Sequence, residues 1–157
     1  NMIWDQLAED GLYSCIITDG IHTPDSFMKV VMKNKGKKTL VVSDATRYAG
    51  MAPGEYFSHI GGAVILDEDK RVSLKGSPGI LAGAAKSLLE NVETLMDHNL
   101  ATLKEAWELA SVNVSEMLIK HDPSFYEKNN DKVIFRLEGK DIIISRVIKN
   151  EKIVFEK

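Results

Sequence analysis

The stretch "IITDGIHTPDSF", Ile16–Phe27, decides how this chain is read. Apolar and β-branched residues run from Leu12 to Thr18 on either side of Ser14 and Cys15, the composition of a buried strand. Asp19-Gly20 ends that strand, and His22 follows. Thr23-Pro24 then opens a helix, with Thr23 as N-cap and Pro24 at the first helical position. Phe27, Val30 and Val31 form its inner face. Gly36 stops it inside a Lys-rich exit (Lys33, Lys35, Lys37, Lys38) suited to a helix C-terminus. "TLVVSDATRYAG", Thr39–Gly50, repeats the opening: an apolar strand over Thr39–Ser43, then Asp44. Strand, helix and strand within about 30 residues make a βαβ unit, so the two strands are expected to be parallel and the fold class α/β.

Parallel neighbours end on the same side of a sheet. Asp19, Gly20 and His22 follow one strand, and Asp44 follows the other. In open α/β sheets and in barrels, ligands sit at that end. A carboxylate there can take a proton from water, and an imidazole can stabilise a developing oxyanion. A plainer reading stays open: Asp44 as a helix cap and His22 as a satisfied core residue.

Gly50–Ser77 reads as a β-hairpin excursion, with a turn at Pro53-Gly54, the β-prone "EYFSHIGGAVIL", a polar "DEDK" and "RVSL". A helix is expected over Ile80–Asp97, with Leu81, Ala85, Leu88, Leu89, Val92 and Leu95 inward. Thr102-Leu103-Lys104-Glu105 fits a capping box for a helix over Ala101–Ala110, and a shorter helix is expected over Val114–Ile119. Three strands with turns at Glu138-Gly139-Lys140 and Lys149-Asn150-Glu151 complete the chain.

With 157 residues, 44% hydrophobic and 27% charged, the chain suits a globular domain with a real core. A net charge of −3 gives no electrostatic case for nucleic acid or an anionic membrane. No apolar run approaches the roughly 18 residues of a span, and the acidic start "NMIWDQLAED" is not a signal peptide, so a cytoplasmic home is expected. Cys15 has no cysteine partner and is expected as a buried structural thiol. The first residue is Asn, which reads as a processed or cut terminus.

The motif order resembles the amidohydrolase superfamily, and within it the N-acetylglucosamine-6-phosphate deacetylases. The resemblance rests on Asp19-Gly20-Ile21-His22, Ser43-Asp44-Ala45, Ala49-Gly50, Gly54-Glu55-Tyr56, Gly79-Ile80-Leu81-Ala82-Gly83-Ala84 and Ala110-Ser111-Val112-Asn113-Val114-Ser115, across residues 10–118. It implies the last two βα units of a (β/α)8 barrel over residues 1–121, with the hairpin inserted near 50–77. Residues 122–157 would then be strands of a small β-sandwich domain. The resemblance also implies hydrolysis of an N-acetylated amino sugar with a divalent metal, usually zinc, that makes hydroxide from water. Asp44 would move the proton and could touch the metal, and His22 would bind the substrate carbonyl. Ala82, Gly83 and Ala84 would line the substrate, with Gly83 allowing close backbone approach at the start of the helix from Ile80. Ala82 and Ala84 stand where such deacetylases tend to carry Ser, which argues for a different or less polar ligand. Arg47 could grip a carboxylate or phosphate.

In this family the metal is held mainly by a Glu and two His from earlier in the barrel. Those residues are expected upstream of Asn1, and none of His59, His98 or His121 replaces them; surface or capping roles suit these three. No H-x-H or H-E-x-x-H pair occurs. The chain is therefore expected to be the C-terminal piece of a longer enzyme, inactive and free of metal by itself. Ile16, Ile17, Val41 and Val42 would lack half their packing, so the piece should dimerise or stay bound to the remaining part. The alternatives are a non-catalytic binding module derived from the barrel, and an unrelated small α/β domain.

Overall fold

The computed structural model describes residues 1–58, 62–125 and 131–157. Strands β1 (Ser14–Ile17) and β2 (Thr39–Val42) pair in parallel, Ser14 opposite Thr39 and Ile17 opposite Val42. Helix α2 (Asp25–Lys35) is their crossover, as a parallel pair requires. Ile16 and Val41, opposite each other, turn into a core with Met28, Val31, Val92, Leu95 and Ala106. Helices thus cover their face, and these two residues do not lack half their packing; Ile17 and Val42 are half-buried. Cys15 is exposed rather than buried. Successive strand residues point to opposite faces, and Ile16 takes the face toward the helices.

Two buried asparagines fasten the strand pair. Asn91, on α3 (Leu88–Asp97), accepts from the Thr18 amide at 2.7 Å and, through its own carbonyl, from the Thr18 hydroxyl at 3.0 Å. Asn113 donates to the Thr39 carbonyl at 3.1 Å. One asparagine therefore grips the exit of β1 and the other the entry of β2.

Helix α2 starts one residue later than its sequence suggests. Pro24, extended, occupies the N-cap position without a side-chain cap, and Thr23 lies outside. Asp25 supplies the negative charge that a first turn favours. Gly36, at φ 51°, closes the helix as expected.

The expected hairpin is larger. Strands β3 (Gly54–Ser58), β4 (Gly62–Leu66), β5 (Arg71–Leu74) and β6 (Ser77–Ala84) form one antiparallel sheet in chain order. Strand β6 takes Ile80–Ala84, which had read as the start of a helix. Ser73 pairs with Leu81 and Arg71 with Ala84, and Gly83 at φ 106° cannot continue a right-handed helix. The helix begins only at Leu88, behind a complete Ser87–Glu90 capping box. Ala85, expected inside that helix, instead joins a second core of Tyr48, Val64, Leu66 and Val72. The expected role of His59 lies outside the described residues.

Thr102 and Glu105 form the anticipated capping box of α4 (Leu103–Trp107). The helix does not stop at Ala110, however. It passes through a π-helical turn, Glu108–Val112, into α5 (Asn113–His121), so His121 ends a helix rather than following one. Strands β7 (Lys132–Glu138), β8 (Asp141–Lys149) and β9 (Lys152–Glu156) form the expected antiparallel sheet. Its anchors are Ile142, buried in the helical core, and Phe135, stacked on Trp107 with centroids 4.9 Å apart. A helix not anticipated, α1 (Met2–Ala8), precedes β1 and buries Leu7 in the same core. Among the described residues no helix is long and apolar enough to cross a membrane.

Candidate functional site

Asp19 stands two residues beyond Ile17, and Asp44 two residues beyond its partner Val42. The register therefore sets the two exits at one end of the strand pair.

The first exit is tightly built. Asp19 is only 1% exposed. Its Oδ1 accepts from the amides of Ile21 and His22, each at 2.9 Å, and its Oδ2 lies 2.7 Å from His22 Nδ1. This is an Asx turn whose second oxygen also engages the ring. Burial pushes the Asp19 carboxyl up, but the amides of His22 and Ile21 and the His22 ring outweigh it and hold it below the ordinary range. Lys86 Nζ donates to the Asp19 carbonyl at 2.9 Å. Gly20, at φ 77°, makes the turn possible, and a Cβ there would stand 3.4 Å from both His98 and Thr94. The His22 side chain stays 18% exposed.

The second exit is bare. Asp44 is exposed, adopts a left-handed conformation at φ 48°, and has no side-chain partner among the described residues. Such a conformation is uncommon outside glycine, though Asp is among the residues that tolerate it. The next residues anchor it. Ala45 bridges Ala84 in parallel, and Thr46 donates to the Ala84 carbonyl from its amide at 2.8 Å and its hydroxyl at 2.9 Å. Gly83 permits this contact: a Cβ there would lie 2.4 Å from Thr46 Cγ2. The close approach foreseen for Gly83 is thus to Thr46, within a strand and not at a helix start.

The other candidates lie nearby in different settings. Arg47 donates to the Phe57 carbonyl and sits 5.2 Å from the Tyr48 ring centroid, so its guanidinium ties the Asp44 loop to β3. Ala84 is buried, and Ala82 packs against the second core. His98 caps α3 and lies 2.8 Å from Asp25. An open cleft of about 500 Å³ adjoins the first exit; Asp19, Gly20 and Lys86 line it, and His22 and Asp44 do not. Among the described residues no three His, Cys, Asp or Glu side chains come together in a metal-holding group.

Sequence reasoning placed Asp19 at the strand exit without giving it a role, and it missed Lys86 and Asn91 as builders of the site. The spacing Asp19-Gly20-Ile21-His22 did carry a signal, because an Asx carboxylate reaches the amides two and three residues on. Nothing local marked Asn91, whose partner is 73 positions away.

A parallel βαβ unit with ionisable groups at both strand exits defines an α/β protein whose candidate site lies at the C-terminal ends of its strands. Comparison with known proteins narrows this. No protein-family model matches the chain. It is 25% identical over 107 residues to the N-acetylglucosamine-6-phosphate deacetylase of Haemophilus influenzae, a match over 68% of this chain and 27% of that protein. The crystal structure of the Thermotoga maritima deacetylase of the same name superposes with a TM-score of 0.75 at 20% identity, over 98% of this chain and 41% of that one. The Mycobacterium smegmatis enzyme gives 0.77 at 17% identity, over 96% and 40%. The chain thus has the fold of the C-terminal part of the N-acetylglucosamine-6-phosphate deacetylases, and it spans about two fifths of the solved chains it matches.

Proposed function

We propose that this chain forms the C-terminal part of an amidohydrolase that removes the acetyl group from an N-acetylated amino sugar, with N-acetylglucosamine-6-phosphate as the first substrate to test. One observation carries the reading. His22 and Asp44 follow paired parallel strands at the same end, in a fold whose relatives bear the name of that deacetylase. In this reading the first 121 residues are barrel segments with the β3–β6 sheet inserted, and the last three strands belong to a smaller β domain.

Each side chain then has a task. Asp44, exposed and unpartnered, accepts a proton from the attacking water, whose oxygen bonds to the acetamido carbon. His22 donates to the carbonyl oxygen as negative charge builds there. As the C–N bond breaks, Asp44 returns the proton to the nitrogen, and a free amine leaves with acetic acid, which gives its proton to solvent to become acetate. A divalent metal, zinc by the resemblance, would supply an activated water. The described residues do not form a site for it, and Asp44 offers one ligand at most. Arg47, held by β3, and the backbone around Gly83 border the same exit and would meet the sugar rather than the amide.

The test is acetate release from N-acetylglucosamine-6-phosphate by the natural protein that contains this chain. One acetate per amine, lost in the Asp44→Asn variant, is the expected result. Acetate release unchanged by that substitution would remove Asp44 from the chemistry, and no release from any N-acetylated sugar would overturn the reading.

A further inference from the structure

The Asp19 carboxylate does more than its turn requires. An Asx turn needs one acceptor oxygen for the two backbone amides, and Asp19 Oδ1 provides it at 2.9 Å to each. An asparagine would serve that purpose without burying a charge, which is costly unless compensated. Oδ2 has a different partner, His22 Nδ1, at 2.7 Å. We propose that Asp19 is a positioning residue for His22: it holds the proton on Nδ1 and fixes the ring so that Nε2 alone faces the ligand.

The assignment follows from what each atom can do. An ionised carboxylate only accepts, so a hydrogen bond of this length needs the proton on Nδ1. Nε2 is then a bare acceptor in the neutral ring and a donor in the imidazolium. The form that can hold a carbonyl oxygen is therefore the imidazolium, with Asp19 as its counter-ion. The ring's place is fixed as well, because the same carboxylate grips the His22 amide and leaves the imidazole little freedom to swing. Two other charged or titratable groups pack against this turn. Lys86 donates to the Asp19 carbonyl, and His98, paired with Asp25, borders Gly20. Neither reaches the His22 ring in the hydrogen bonds of the described residues, so Oδ2 is the group that selects the tautomer.

The catalytic consequence rests on the proposed role of His22, whereas the tautomer does not. Asp19→Asn separates them. The variant keeps Oδ1 for the two amides but replaces Oδ2 with an N–H donor. Nδ1 must then accept, and the proton moves to Nε2. Nitrogen-15 spectra of the histidine-labelled protein read this directly, with His22→Gln identifying the signal. The expected spectrum shows a protonated Nδ1 in the unsubstituted protein and the reversed pattern in Asp19→Asn. Turnover should fall by about 10- to 100-fold, the usual cost of losing an outer partner, because the neutral Nε2–H donor left in the variant is weaker than the imidazolium that Asp19 supports.

Protonated Nε2 in the unsubstituted neutral ring, or an unreversed pattern in the variant, would overturn the proposal. So would a reversed tautomer with undiminished turnover. If the variant does not fold, the unsubstituted spectrum alone decides the tautomer. If the protein releases no acetate at all, the proposed function fails while the spectrum still tests Asp19.

Discussion

The two strand exits differ in almost every physical respect. After β1, Asp19 is buried, its two oxygens hold three N–H groups, and its carbonyl binds Lys86. After β2, Asp44 is exposed, stands at φ 48° and has no side-chain partner among the described residues. One carboxylate has spent its hydrogen-bonding capacity on structure, and the other has kept it. A group that must take up and release a proton needs free lone pairs, whereas a group that orients a neighbour needs them engaged. The contrast thus assigns different work to two residues of the same type at matching positions.

The largest effect should come from the bare exit. Asp44→Asn is expected to lower kcat by about 10²–10⁴-fold while leaving the thermal unfolding temperature nearly unchanged, since no contact is lost. A large fall in unfolding temperature would show that Asp44 is structural after all.

Next comes the clamp that holds the Asp44 loop. Gly83→Ala meets both a left-handed backbone and a Cβ 2.4 Å from Thr46 Cγ2. Together these should cost about 2–5 kcal/mol in urea unfolding. Thr46→Ser removes Cγ2 and keeps the hydroxyl, so the same Gly83 substitution should cost less in that background. Equal costs in both backgrounds would show that the methyl contact is not the constraint.

Asn91→Ala should follow, at about 1–3 kcal/mol, because the buried Thr18 amide and hydroxyl lose their acceptors. A loss within about 0.5 kcal/mol, the range of a surface change, would mean that the exit of β1 is held by something else.

The smallest effect is that of pH. The folded carboxyl of Asp19 lies below its ordinary value, so its contribution is complete above the unfolded value of about 3.9. That contribution is lost as pH falls through the folded value. The stability advantage over Asp19→Asn should therefore shrink as pH falls below about 3.9. An advantage that grows below about pH 3.9 would reverse the assignment.

Much of this contrast could be read from sequence, though unevenly. The apolar runs at Leu12–Thr18 and Thr39–Ser43, separated by a helix-length segment, announced the parallel pair, and chain order then placed both exits together. The capping box at Thr102–Glu105 was equally legible because it is local. Ile80–Ala84 was misread for the opposite reason: "ILAGA" has no decisive periodicity, and its pairing with Arg71–Leu74 made it a strand. The burial of Ile16 and Val41 likewise depends on helices far along the chain. At the site, residue types suggested the chemistry, but the difference between Asp19 and Asp44 lies in their hydrogen bonds, which only the fold displays.

The most direct test is a crystal structure of the Asp44→Asn protein soaked with N-acetylglucosamine-6-phosphate. The account predicts the acetamido carbonyl oxygen at about 3 Å from His22 Nε2, with the substituted side chain beside the amide nitrogen. A sugar bound at this strand end with its acetamido group turned away from both residues, or bound elsewhere, would contradict it.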